Sequence, residues 1–343
     1  MPAFDPNAAA LPDSGVFGLP FTPDEAKVVL VPVPFEATTS YGGGTAEGPN
    51  AILEGSKQVD LFDLDTGKPY EPGIAMLDEP GDVRAWNDEA KRLAAPIIEA
   101  AGVDADEASL AKINALSAKM NDWVYATTKH WLEKGKIVGV VGGDHSTPFG
   151  AIKAYAEKYP GLGVLHLDAH ADLRDAYEGF EWSHASIMFN VMKHVPNVKK
   201  LVQVGIRDFG EAEYEIIRDS NGRIHTFFDA RLARARLDGM PWREQVDSIV
   251  AELPQYVYLS WDIDGLEPTL CPNTGTPVPG GLTFAQAIAL LEGVVRAGKK
   301  IVGFDLNEVS PGPENSEWDG NVGARLLYKM IGWTLLSQGV GTR

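Results

Sequence analysis

The chain has 343 residues, 44% of them hydrophobic, and its 30 basic and 48 acidic side chains leave a net charge of −18. This is enough apolar material for one large domain and speaks against disorder, while the acidic balance disfavours nucleic acid and anionic membrane and favours small cationic ligands. The single cysteine, Cys271, excludes an internal disulfide framework; with no basic, apolar leader pattern and no run of roughly 18 apolar residues, a soluble cytoplasmic protein is expected.

An irregular, proline-containing arm is expected over residues 1–25 and a single domain over 26–343. Lys27 to Val33 reads as the first buried strand, the glycine-rich loop Tyr41 to Gly48 follows, and Pro49 suits the first turn of a helix. The triplet at 42–44 is not a phosphate-binding fingerprint, because neither GxGxxG nor GxxxxGK[ST] is present. From Glu107, Leu110, Ile113, Leu116, Met120 and Val124 recur at three- and four-residue steps, which predicts a long helix stopped by Gly135. A strand is predicted over Ile137 to Val141, a helix over Thr147 to Lys158, a strand over Leu162 to Asp168 and a helix from about His184. The series continues with strand Lys200 to Ile206, helix Gly210 to Asp219, strand Ile224 to Phe228 and helix Trp242 to Leu253. It closes with strand Tyr256 to Ile263, helix Thr283 to Ala297, strand Lys300 to Leu306 and helix Asp319 to Leu336. Strands that alternate with helices predict a three-layer α/β/α fold around a mainly parallel sheet.

Three of these strands run into metal-binding side chains: GGDHS at 142–146, DAHAD at 168–172 and DID at 262–264. If the chain stays extended past Leu167, Asp168, His170 and Asp172 share one face, as do Asp262 and Asp264, and His145 joins them from the neighbouring segment. Strand ends are where open α/β sheets place their ligands. Four carboxylates gathered in one place repel one another unless cations balance them, and two divalent ions do so. Carboxylates with two imidazoles and no thiolate suit Mn(II), Ni(II), Co(II) or Fe(II) better than a closed zinc site. Two such ions about 3.5–4 Å apart can deliver a bridging water as hydroxide near neutral pH, which points to hydrolysis. The loop Gly265 to Gly281 follows a ligand strand and is a candidate pocket wall.

GGDHS, DAHADLR and SWDIDGLEPTLCPNTGTPVPGG resemble the three motifs of the ureohydrolase family, the arginases, agmatinases and their relatives, in order and across nearly the whole chain. PVPFEATTSYGGGTAEGPNAI and NEVSPGP resemble the family's first strand with its loop and its late acidic segment. The resemblance implies an arginase-like fold and two bridged Mn(II) or Ni(II) ions, one on His145, Asp168, Asp172 and Asp262, the other on His170, Asp168, Asp262 and Asp264. It further implies that His184 shuttles protons, that Glu308 pairs with the substrate guanidinium, and that the protein forms trimers or hexamers. The implied reaction is attack of hydroxide on a guanidinium carbon to release urea, with Glu308 gripping the planar cation and His184 protonating the departing nitrogen. Asp144 is a candidate for orienting His145.

Departures from the family pattern bear on the substrate. Arg207 and Asp208 are followed by Phe209 and Gly210, where arginases carry a second aspartate, which disfavours arginine. Glu267 replaces a usual aspartate without touching a ligand position. Trp261, Phe180 and Trp182 are bulky and near ligand positions, so Trp261 is expected to shorten the pocket as a substrate-binding residue. QVDLFD and EWDGNVGARLLYKM look like the guanidine-hydrolase branch, which makes free guanidine the expected substrate. Agmatine is the alternative, followed by guanidinobutyrate or a formimino acid, for which Arg174 or Arg207 would bind the carboxylate, and last a non-catalytic metal-binding scaffold.

Overall fold

The computed structural model describes residues 4–11, 13–313 and 316–341. Its centre is an eight-stranded, wholly parallel sheet of β1 (Val28–Val33), β2 (Ile74–Met76), β3 (Ile137–Gly142), β4 (Leu162–Leu167), β5 (Val198–Val204), β6 (Ile224–Phe227), β7 (Tyr256–Asp262) and β8 (Lys300–Asn307), in the order β2-β1-β3-β8-β7-β4-β5-β6. β1, β3 and β4 are buried at every position, which is why they read as continuous apolar runs without a polar face.

Helices cover both faces. One side carries α1 (Gly48–Ser56), α7 (Asp229–Leu237), α8 (Trp242–Ala251), α9 (Phe284–Arg296) and α10 (Trp318–Ser337), packed on Leu165, Leu167, Leu259, Trp261 and Leu306. The other carries α2 (Gly81–Glu99), α3 (Glu107–Glu133), α4 (Phe149–Lys158), α5 (Ile187–His194) and α6 (Glu211–Asp219), packed on Val29, Val31, Val138, Val140 and Val164. Helix starts are set locally: Asp106 accepts from the Ser109 N–H at 2.8 Å before α3, and Thr283 and Gln286 exchange bonds at the start of α9.

β2, α2 and α7 lie outside the predicted series. The buried face of α2 consists of Val83, Asn87, Ala90, Ala94 and Ile97, a helical stripe at three- and four-residue steps. α7 buries only Asp229 and Leu232, so it shows almost no apolar period. Within the N-terminal segment, Val16, Phe17 and Leu19 are buried in the same core as α1 and α10, and the Phe17 N–H donates to Ser56 Oγ at 2.8 Å.

Candidate metal centre

Four adjacent strands, β3, β8, β7 and β4, end at one place. His145 follows β3, Glu308 follows β8, Asp262 closes β7 and Asp168 follows β4. The backbone must bend sharply to bring the side chains together. β4 stops at Leu167, and Asp172 has φ 53°, so the DAHAD segment is a turn rather than the expected extension of the strand. Asp264 likewise sits in a 3-10 turn at 263–265, whose start is capped by Asp262 accepting from the Asp264 N–H at 2.8 Å. Glu308 has φ 62°. Two non-glycine residues held in the left-handed region at one centre carry local strain that the surrounding packing must maintain. Gly265 makes room for the turn, because a Cβ there would stand 2.7 Å from the Asp168 nitrogen.

The structure brings all six expected ligand side chains together. His145 Nδ1 lies 3.0 Å from Asp168 Oδ2, 3.3 Å from Asp172 Oδ2 and 3.5 Å from Asp262 Oδ2. His170 Nδ1 lies 3.1 Å from Asp264 Oδ2 and 3.4 Å from Asp168 Oδ1. Asp168 therefore belongs to both groups. Second partners fix the ligand atoms: Ser260 Oγ donates to Asp305 Oδ1 at 3.0 Å, so it accepts from His145 Nε2 at 3.0 Å and leaves Nδ1 as the ring nitrogen turned to the three carboxylates.

Burial and crowding set the electrostatics. Asp172 is pushed up to about 8, by burial and then by the charge of Asp168. Asp262 is raised well above the usual carboxylate range by burial and by Asp264 and Asp168. Burial pulls His170 down, but Asp264 and Asp168 outweigh it and lift it to about 12. Carboxylates driven toward protonation beside imidazoles driven toward the cationic form describe a site short of positive charge. One ligand atom each from His145, His166, Asp168 and Asp172, and one each from Asp168, His170 and Asp264, lie within 4.8 Å of one another. The donor set fits two divalent cations, an inner one by His145, Asp168, Asp172 and Asp262, an outer one by His170, Asp168 and Asp264.

A cavity of about 180 Å³ opens over the outer group, lined by Ser40, His170, Asp172, Arg174, Tyr177, His184, Ala185, Asp208, Glu213 and Thr276. His184 is pulled down to about 4, first by burial and then by His170 and His145, which keeps it neutral at pH 7. Its ring meets Tyr177 edge-on at 6.2 Å, and the Arg174 guanidinium stands 4.7 Å from the Tyr177 centroid. Glu308 is not on that cavity's wall. Its Oε1 accepts from the His145 N–H at 2.9 Å, and among the described residues Oε2 has no hydrogen-bond partner.

Trp261 is a correction. It is fully buried on β7 between Ser260 and Asp262, and strand alternation turns its ring away from theirs into the core under α9 and α10. It cannot shorten the pocket. Phe180 and Trp182 pack into the core on the other face, Trp182 against Phe149 at 4.8 Å. Tyr177 is the ring on the cavity wall, and nothing in its local pattern singled it out. Arg207 is consumed by the carbonyls of Gly205, Asp264, Leu266 and Val278 and braces the loop after Asp264. Asp144 accepts from the Ser146 N–H at 2.9 Å and shapes the turn that presents His145. Cys271 donates to the Ile263 carbonyl in the core, and burial pushes its thiol up.

A parallel sheet whose strand ends gather imidazoles and carboxylates around two cation positions is the framework of a metallohydrolase. The arginase family profile matches residues 26–332. Over 328 residues the chain is 34% identical to an N(1)-aminopropylagmatine ureohydrolase of Thermus thermophilus, covering 94% of this chain and 96% of that one. It is 28% identical to an agmatinase of Bacillus subtilis, over 90% of this chain and 92% of the relative. The fold matches the proclavaminate amidino hydrolase of Streptomyces clavuligerus with a TM-score of 0.73 at 23% identity, covering 96% and 99% of the two chains. The chain belongs to the arginase family and is a hydrolase of carbon–nitrogen bonds in linear amidines. No described helix is long and apolar enough to cross a membrane.

Proposed function

We propose that the chain hydrolyses free guanidine to urea and ammonia, with Mn(II) or Ni(II) at the two cation positions. The observation that carries this reading is the mouth of the cavity, where Tyr177 stands against His184 and Arg174 lies over Tyr177. A cavity of about 150 Å³ holds benzene. The space here is about 180 Å³ and must also house cations and water, which leaves room for a reactant of few heavy atoms. Arg174 stands 3.6 Å from Glu213, which also accepts from the Leu173 and Gly210 N–H groups, so both Glu213 oxygens are engaged before any ammonium tail arrives.

The cations would supply a hydroxide nucleophile and neutralise the carboxylates. Glu308 does not line the cavity, but its Oε2, unpartnered among the described residues, would accept hydrogen bonds from a guanidinium that reaches past the outer group, the planar donors matching a carboxylate. His184, neutral and on the cavity wall, takes up a proton and passes it to the nitrogen that leaves as ammonia.

Agmatine is the second reading, favoured by the exposed Asp208 carboxylate on the same wall and by relatives named for agmatine-type substrates. Urea release is measured with protein reconstituted separately with Mn(II) and Ni(II) and offered guanidine, agmatine, 4-guanidinobutyrate and arginine. The highest kcat/KM is expected for guanidine; a preference for agmatine sinks the guanidine assignment, and a preference for 4-guanidinobutyrate means that Arg174 binds a carboxylate.

A further inference from the structure

A row of polar side chains crosses five adjacent strands beneath the cation positions. In sheet register Thr226 of β6 stands beside Gln203 of β5, Gln203 beside His166 of β4, His166 beside Ser260 of β7, and Ser260 beside Asp305 of β8. All five are buried. Buried polar groups are costly unless they bond to one another, and here the bonds run along the row and then out of it to two cation ligands. Ser260 serves His145, as described above. The other arm starts at Thr226, whose Oγ1 donates to Gln203 Oε1 at 2.8 Å.

The direction of each bond follows from chemistry. The Ala171 carbonyl can only accept, so the Gln203 atom 2.7 Å from it is the amide nitrogen. That nitrogen is also 3.0 Å from His166 Nδ1, which must then be the accepting, unprotonated ring nitrogen. The ring proton is left on Nε2, which lies 2.8 Å from Asp168 Oδ2 and donates to it. His166 falls inside the group of potential ligands around His145, yet both its ring nitrogens are already committed, one as acceptor and one as donor.

We propose that Thr226, Gln203 and His166 form a positioning relay in which Gln203 sets the imidazole tautomer of His166, and the His166 Nε2–H holds the carboxylate of Asp168. Asp168 is the side chain common to both cation groups, so its rotation misplaces both cations at once. His166 is thus a positioning residue and not a ligand. Groups that orient ligands in this way are worth about 10–100-fold in metal affinity.

The relay rests on the reading of the six side chains as cation ligands. Its tests use metal binding and histidine spectra without any substrate, so failure of guanidine turnover leaves it standing. In the nitrogen-15 spectrum of protein loaded with diamagnetic Zn(II), His166, assigned by its loss in His166→Gln, is expected as the neutral Nε2–H tautomer. A proton on Nδ1, or a metal-bound ring nitrogen, overturns the proposal. In Mn(II) titrations Gln203→Leu and Gln203→Glu are expected to weaken binding about 10–100-fold and Thr226→Val less than about threefold. His166→Gln, whose amide can still donate to Asp168, keeps more affinity than His166→Ala. Wild-type affinity in both folded Gln203 variants overturns the relay; if they fail to fold, the wild-type spectrum decides by itself.

Discussion

The two cation groups share Asp168 but occupy different surroundings. In the inner group His145, Asp168, Asp172 and Asp262 are all buried, and His145 is gripped from the protein side by Ser260. In the outer group the His170 side chain is 25% exposed and lies on the cavity wall beside His184 and Tyr177. The inner position is built for retention. The outer one faces solvent, so a cation held there would be expected to exchange first and to meet the reactant first.

The most damaging change removes what the two groups share. Asp168→Ala is expected to abolish binding of both Mn(II) equivalents and to lower kcat/KM at least about a thousandfold, roughly 4 kcal/mol. Metal analysis and urea release check it, and a variant that keeps one full equivalent disproves the sharing. Next in size, His170→Asn should separate the groups. One equivalent is lost and the other stays, and a chelator titration of the wild type should show two steps with activity gone after the first. A single step with loss of both equivalents would mean that the positions are not independent.

Metal removal also sharpens the comparison through pH. In metal-free protein Asp172, raised from 3.8 to about 8, holds a proton that the unfolded chain has lost, so its stabilising contribution disappears as pH rises through that window. His170, raised above 6.5, stabilises fully below 6.5 and loses that contribution as pH climbs toward about 12. His184, lowered to about 4, has the opposite sign, but its contribution is lost only as pH falls from 6.5. Above pH 6.5 these shifts act in one direction. The metal-free unfolding free energy should fall between pH 6.5 and 8.5, by up to about 1.4 kcal/mol per group per pH unit, and Tm should fall with it. The Mn(II)-loaded Tm should not fall, and a gap that stays constant with pH would show that the carboxylates and imidazoles are not in electrostatic contention.

Much of this was legible in the sequence because chemistry and register coincide there. The strands that carry His145, Asp168 and Asp262 are apolar runs ending in ligands, and β8 runs in the same way into Glu308. The manner of convergence was not legible. Asp172 reaches His145 through a left-handed turn rather than an extended one, a conformation set by packing and not by propensity. His166 was within reach, since it precedes Asp168 by two on the same strand face, but an isolated core histidine carries no signal until Gln203 and Thr226 are seen in register beside it. Trp261 failed for the same parity reason: its neighbours Ser260 and Asp262 face the site, so it cannot. α2 was legible in principle, since Val83, Asn87, Ala90, Ala94 and Ile97 recur at three- and four-residue steps.

The smallest effect lies at the outer mouth, and it separates the two substrate readings. Asp208 is exposed, lines the cavity and has no ion pair among the described residues, whereas Glu213 is buried and taken up by Leu173, Gly210 and Arg174. An exposed charge of this kind contributes at most about 1 kcal/mol to a partner, roughly a fivefold change. Asp208→Asn should therefore raise KM for agmatine by up to about fivefold, because only an ammonium tail reaches that wall. Its kcat/KM for guanidine should not move, since a tailless cation gripped by Glu308 has nothing to place there. If guanidine turnover falls as much as agmatine turnover, Asp208 supports the outer cation group through the paired backbone of His170 and Asp208, and the mouth does not select substrates by charge.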